Sequence, residues 1–302
     1  MLAVLIGITS ALIYGAADFL GGLGAARISP LRVTAISAAS GLLILLLATP
    51  LITGTISTEA VALGALSGVT GAIAISLLYA CLAIGPMSIL SPLTAVVSAI
   101  VPVTVGLAQG ERLRPIGYVA IVLALVAVVL VGFVREKNAV RPSVTALLMA
   151  VASGSMIGVF LVIIDLTPDD SGLIPLIANR VVTAVLMLLA VLLVGGWMRR
   201  QRRFGDASRT SRSLFASIGL TKPGWRAGAG FAIACGFVDS IANAGLLLGL
   251  RLGELSVISV LTALYPAGTI LLAAVVLKER IAVVQYIGLA LAIGAAALLA
   301  LA

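Results

Sequence analysis

Two aspartates stand where aspartates are expensive. Asp239 and Asp18 each interrupt an apolar stretch, and each has a polar partner four residues away, Asn243 and Tyr14. Residues at i and i+4 project from one face of a helix, so each pair reads as a polar patch on an apolar rod. Such a carboxylate can bind a solute, or take up and release protons because desolvation disfavours its charged form. Both are candidates for substrate binding and for proton coupling. The competing reading is an interhelical hydrogen-bond cluster that only holds the bundle together. Asp165 closes an apolar run and is expected to face water.

Around these lie weaker candidates. Ser88, Ser91 and Thr94 recur as Ser256, Ser259 and Thr262 in a later segment. Helical hydroxyls usually bond their own i−4 carbonyl, but the recurrence also admits a cavity-lining role, above all for Ser91, Thr94, Ser259 and Thr262. Pro266 and Pro102 each free the carbonyl four residues earlier, Thr262 and Ser98. Tyr79 and Tyr265 could wall an organic solute, or simply pack. Arg32 and Arg180, early in their segments, are read as interfacial anchors. Glu111 and Glu279 are expected to pair with neighbouring Arg or Lys, and Gly64-x-x-x-Gly68 to let two helices approach closely.

Other chemistry is poorly supplied. The 302 residues include no histidine, which removes the commonest general base and metal ligand. Cys81 and Cys235 each lie within an apolar run and read as small hydrophobes. The acidic doublet Asp169-Asp170 follows Pro168 in a loop. No nucleophile–base pair, metal set or carboxylate cluster can be assembled, so neither an enzyme nor a metal or cofactor site is expected.

The elements that must position these residues follow from composition. Hydrophobic residues make up 62% of the chain and charged ones 10%, with a mean hydropathy of +1.27. Soluble domains carry roughly a quarter charged residues. In a bilayer every backbone N–H and C=O must pair internally, which leaves helices or a closed barrel. Uninterrupted runs such as 116–134 exclude the alternation of barrel strands. The fold class is therefore all-α integral membrane. Apolar runs between breakers predict about ten spans, near 2–23, 31–53, 60–83, 87–108, 115–134, 143–164, 173–195, 227–250, 255–277 and 282–302. The first run carries an aspartate and has no basic residues before it, so it is expected to be a span rather than a cleaved signal peptide.

The two halves resemble each other. Shifted by 168 positions, residues 85–95 (GPMSILSPLTA) lie on 253–263 (GELSVISVLTA) with six of eleven identities, and Glu111-Arg112 lies on Glu279-Arg280. A unit of five spans is odd, so its second copy must insert upside down. This predicts two inverted five-helix repeats, 1–137 and 138–302, an architecture of secondary transporters with a site near the midplane. Fifteen of the nineteen Lys and Arg residues then fall on the side opposite the N-terminus. By the positive-inside rule that side is cytoplasmic and both termini are outside. Residues 197–226 form a basic cytoplasmic loop suited to anionic lipid; a net charge of +8 concentrated there does not indicate nucleic acid.

Taken together, the sequence resembles the EamA-type branch of the drug/metabolite transporter superfamily. The features are the Gly-x-x-Ser-x-x-Ser-x-Leu-Thr start of the fourth and ninth spans and an Arg early in the second and seventh. Gly110-Glu-Arg-Leu and Lys278-Glu-Arg-Ile, the latter followed by Gln285-Tyr-Ile-Gly288, complete them. Gly117 stands where the first unit would carry the glutamine. The resemblance implies ten helices in two inverted repeats and export or uptake of a small metabolite; an amino acid, sugar or drug-like solute is expected, with export the favoured direction and the plasma membrane the location. A lipid-linked sugar flippase and a non-transport structural protein are the alternatives, and a homodimer is left open.

Overall fold

The computed structural model describes residues 1–84, 87–132, 142–204, 225–278 and 281–301, apart from the side chains at 79, 82–84, 87–89, 91, 198–204, 225 and 227. Among these residues the chain is mostly helical, without strands. In order the helices are α1 (Leu2–Arg27), α2 (Pro30–Ala48), α3 (Thr58–Ile84), α4 (Met87–Ala108), α5 (Pro115–Gly132), α6 (Val144–Asp165) and α7 (Ile174–Phe204). Then follow α8 (Trp225–Leu252), α9 (Leu255–Thr262), α10 (Tyr265–Val276) and α11 (Val283–Leu301). With α9 and α10 taken as one crossing, nine described segments are long and apolar enough to span a membrane; within α4 the shorter stretch Pro92–Ala108 is apolar too. The expected spans are all present, and the protein is an all-α membrane protein.

Local signals explain several ends. Ser29 caps α2 by accepting the Arg32 N–H, and Pro30 follows at the first turn, where no N–H is needed. Ser143 caps α6 in the same way through the Ala146 N–H at 3.2 Å. Gly110 leaves α4 at φ +101°, a conformation that favours glycine.

Apolar surface faces outward as well as inward, as lipid permits. Leu47, Leu192 and Val275 are exposed, while alanines such as Ala120, Ala124 and Ala295 are fully buried. Small residues inside let backbones close up, since packing rather than hydrophobic exclusion joins helices in lipid. α1 lies against α8 and α10, α3 against α6 and α7, and α2 against both α7 and α8. α4 packs on α6 and α9, while α5 pairs with α11. Gln285 ties that last pair, its Nε2 donating to the Val131 carbonyl at 3.2 Å.

The ninth span is broken. Pro266 cannot donate to Thr262, and at Leu264 the chain tightens to a bond from its N–H to the Leu261 carbonyl, 3.1 Å. Pro92 and Pro102, by contrast, sit inside a continuous α4. Gly15 of α1 faces the break, and a Cβ there would lie 2.6 Å from the Gly268 Cα. Only glycine permits that crossing.

Candidate functional site

A cavity of about 210 Å³ opens in the middle of the bundle, bounded by α1, α3, α4, α6, α7, α8 and the α9–α10 break. Its wall is divided. α3 and α6 supply Gly71, Ala74, Ile75, Leu78, Ile157 and Phe160, all without charge. The charged and polar part comes from Arg180 of α7, Asp239 and Asn243 of α8, Thr262 at the break, and Tyr14 and Asp18 of α1.

The polar wall is built around one ion pair. Arg180 Nη2 donates to Asp239 Oδ2, and both side chains are largely withdrawn from solvent, 12% and 25% exposed. Asn243 Nδ2, one turn on, donates to the same Oδ2 at 3.3 Å and to the Asp239 carbonyl at 2.8 Å. The i, i+4 pair legible in the sequence is therefore a hydrogen-bonded unit, close to the middle of the Gly228–Leu252 span.

Arg180 is positioned by the contact of α7 with α3. The neighbouring Asn179 donates to Ser67 Oγ at 2.9 Å, and Thr183 donates to the Gly68 carbonyl at 3.2 Å. A Cβ on Gly68 would lie 2.6 Å from the Asn179 carbonyl, so the Gly64/Gly68 pair is what lets α7 lie this close. The packing expected of that pair is present, and it serves the site.

Asp18 differs from Asp239. Over a third of its surface is accessible, it lines the same cavity, and among the described residues it forms neither an ion pair nor a side-chain hydrogen bond. Arg180 and Asp239 balance each other, which leaves Asp18 as the uncompensated charge. Tyr14 and Tyr265 line the cavity alongside it.

The other candidates divide between cavity and packing. Thr262 lines the cavity while bonding its own Ile258 carbonyl at 2.8 Å. Thr94 lies off it, fully buried, with its hydroxyl reaching the Leu90 and Ala150 carbonyls. Ser259 is also fully buried off the cavity, its Oγ without a partner among the described residues, and Ser256 reaches the Val103 carbonyl at 3.4 Å. The side chains of Tyr79, Ser88 and Ser91, and residues 279 and 280, lie outside the described residues.

Two expectations are corrected. Arg180 is not an interfacial anchor: about 9 Å into α7 at 1.5 Å per residue, it meets the Asp239 carboxylate. Glu111 forms no ion pair with a described Arg or Lys. Its carboxylate accepts the Leu255 and Ser256 N–H groups at 2.7 and 3.2 Å, capping α9, where the helix dipole favours an anion. Asn179 and Thr183 also line the cavity though neither is among the expected candidates, and so does Ser98, expected only for the carbonyl that Pro102 frees. The adjacent polar residues Asn179-Arg180 inside an apolar run were the available signal.

The EamA-like transporter family model matches residues 1–133 and 144–301, nearly the whole chain. The chain belongs to the EamA-like transporter family. This EamA-like protein is accordingly a multi-pass membrane protein of a transporter family rather than of an enzyme family. A solved structure titled only "Crystal structure of protein" is 20% identical, with a TM-score of 0.67 over 99% of this chain and 96% of that one. That likeness is one of fold alone. No curated protein matches the EamA-like chain in sequence.

Proposed function

We propose that the protein is a secondary transporter that carries a small amine-bearing solute, a cation or a zwitterion, through the central cavity. The observation that carries the reading is the charge balance of the cavity: two carboxylates against one guanidinium, with Asp18 unpaired. In a low-dielectric site an uncompensated carboxylate favours a cation or a proton and repels anions. The cavity lies below the range typical of drug-sized ligands, which suits a small metabolite. The apolar wall of Ile75, Leu78 and Phe160 would hold the solute's hydrocarbon part.

Alternating access follows from two homologous blocks, 1–137 and 138–302, inserted in opposite senses. The packing supports this, because α1 lies on α8 as α6 lies on α3, and α2 lies on α8 as α7 lies on α3. Asp18, rather than the paired Asp239, is the residue we assign to proton coupling. When it is protonated it holds no cation; when ionised it does, so inward proton movement would drive export. With residues 197–226 cytoplasmic against anionic lipid, both termini face outward from the plasma membrane.

Reconstituted protein tests this reading with a matched series of an alkylamine, the corresponding amino acid and the corresponding carboxylic acid. The amine-bearing members should be moved and the acid should not, and Asp18→Asn should remove the response to a pH gradient. Equal transport of the free acid, or an unchanged pH response in Asp18→Asn, would overturn the assignment. Scrambling of a lipid-linked sugar in the same vesicles would favour the flippase instead.

A further inference from the structure

A second, larger hollow lies outside the transport cavity. It has a volume of about 660 Å³ and runs between α1 and α8 beneath the loops that follow α2 and α6. Its length is apolar and exposed outward: Leu5, Ile241 and Leu248 are 60%, 53% and 49% exposed. Its rim is charged, with Arg251 at the end of α8 and Asp169 and Asp170 in the loop after α6.

The groove has the depth of one leaflet. From Arg251 down to Ile241 is about 15 Å at 1.5 Å per residue, half of a hydrocarbon core about 30 Å thick. Arg251 lies next to the end of its span, at headgroup level, and Ile241 is near the midplane beside Asn243, which faces the other way into the transport cavity. The rim is fixed by its own bonds. Arg251 Nη2 donates to Ser171 Oγ at 3.0 Å, and the Asp170 carboxylate and carbonyl accept the hydroxyl and N–H of Thr55. Asp169 and Asp170 remain exposed.

We infer that this groove binds a zwitterionic, amine-headed glycerophospholipid, with an acyl chain along α1 and α8. Its phosphate would meet Arg251 and its ammonium would meet Asp169 and Asp170. The occupant follows from charge. Two carboxylates against one guanidinium suit a headgroup carrying both signs and repel one that is only anionic. A primary ammonium donates hydrogen bonds to both carboxylates, which a trimethylated amine cannot do.

Native mass spectrometry of the full chain tests this directly. The protein is released from detergent micelles containing equal amounts of phosphatidylethanolamine, phosphatidylcholine and phosphatidylglycerol with identical acyl chains. Phosphatidylethanolamine should be retained at least several-fold over the other two. Arg251→Gln and the Asp169→Asn/Asp170→Asn pair should each abolish the preference, while Arg251→Lys should keep most of it. Thermal unfolding of each variant in detergent serves as the folding control, and a fourth variant, Leu248→Trp, narrows the groove while leaving the charged residues of the rim unchanged. Equal or greater retention of phosphatidylglycerol, or a preference that survives both Leu248→Trp and Arg251→Gln, overturns the site. So does a dimer crosslinked through cysteines at 241 and 248 that excludes lipid. None of these outcomes depends on solute transport.

Discussion

α3 and α8 correspond under the 168-residue shift, yet they line the cavity with contrasting chemistry. Where α8 carries Asp239 and Asn243, α3 carries Gly71 and Ile75. A cavity with two polar walls would bind water as readily as solute. With two apolar walls it would bind nothing ionic at the midplane. Of the two matched helices only α8 carries charge, so α3 can present hydrocarbon to the cavity while a single arginine pairs with Asp239. The difference at these two positions is what makes the cavity wall asymmetric in charge.

The strongest way to break the contrast is at the ion pair. Arg180→Ala leaves Asp239 without its counter-charge and should lower stability by about 2–3 kcal/mol, under the buried-pair range because both side chains touch the cavity. Transport should fall below detection. The double variant Arg180→Gln/Asp239→Asn should recover most of the unfolding temperature but none of the transport, which separates folding from function.

On the apolar wall the expected effect is smaller and of another kind. Ile75→Ala should cost about 1 kcal/mol, because a side chain at a cavity edge loses fewer contacts than one in a filled core. Bulkier solutes should then compete better for transport while the pH response stays intact. A competition series in proteoliposomes reads this, and loss of pH response would show that the two walls are not separable.

Away from the cavity, Glu111→Ala removes the cap of α9 and should cost about 1 kcal/mol of stability. It should also raise the labelling of a cysteine placed at 255, since Glu111 joins the chain after α4 to the broken ninth span. Glu254→Gln is the smallest change. Partial removal from water, the charge of Glu111 and a hydrogen bond to it hold the Glu254 carboxyl above the usual range. A carboxyl raised in the fold contributes stability below its unfolded pKa and loses it as pH rises through the folded value. Glu254→Gln should therefore melt slightly higher than wild type at pH 7.5, with the two curves converging near pH 4.

Much of this was legible in the residues. Uncharged runs near twenty residues long give the spans, because lipid admits no unpaired backbone. Asp239 and Asn243 were marked by rarity and spacing, and Gly64 and Gly68 by their interval. The role of Arg180 was not legible: the same residue near a helix start can reach the headgroups or turn inward, and the choice depends on a carboxylate 59 positions away. The role of Glu111 is hidden for a related reason. Its sequence neighbours are basic, but the N–H groups it caps are more than 140 residues on. Thr94 and Thr262 occupy matched positions, and only Thr262 reaches the cavity, where Pro266 breaks its helix.

Sequence alone determined that the chain must cross a membrane as helices, and which few side chains were too costly to be there without partners. Those are local matters of hydropathy, periodicity and desolvation. Only the tertiary structure decided which charges meet, which hydroxyls line a hollow and which carboxylate is left over. Ion pairs and cavities are made between helices, and their partners are set by packing across the bundle rather than by distance along the chain.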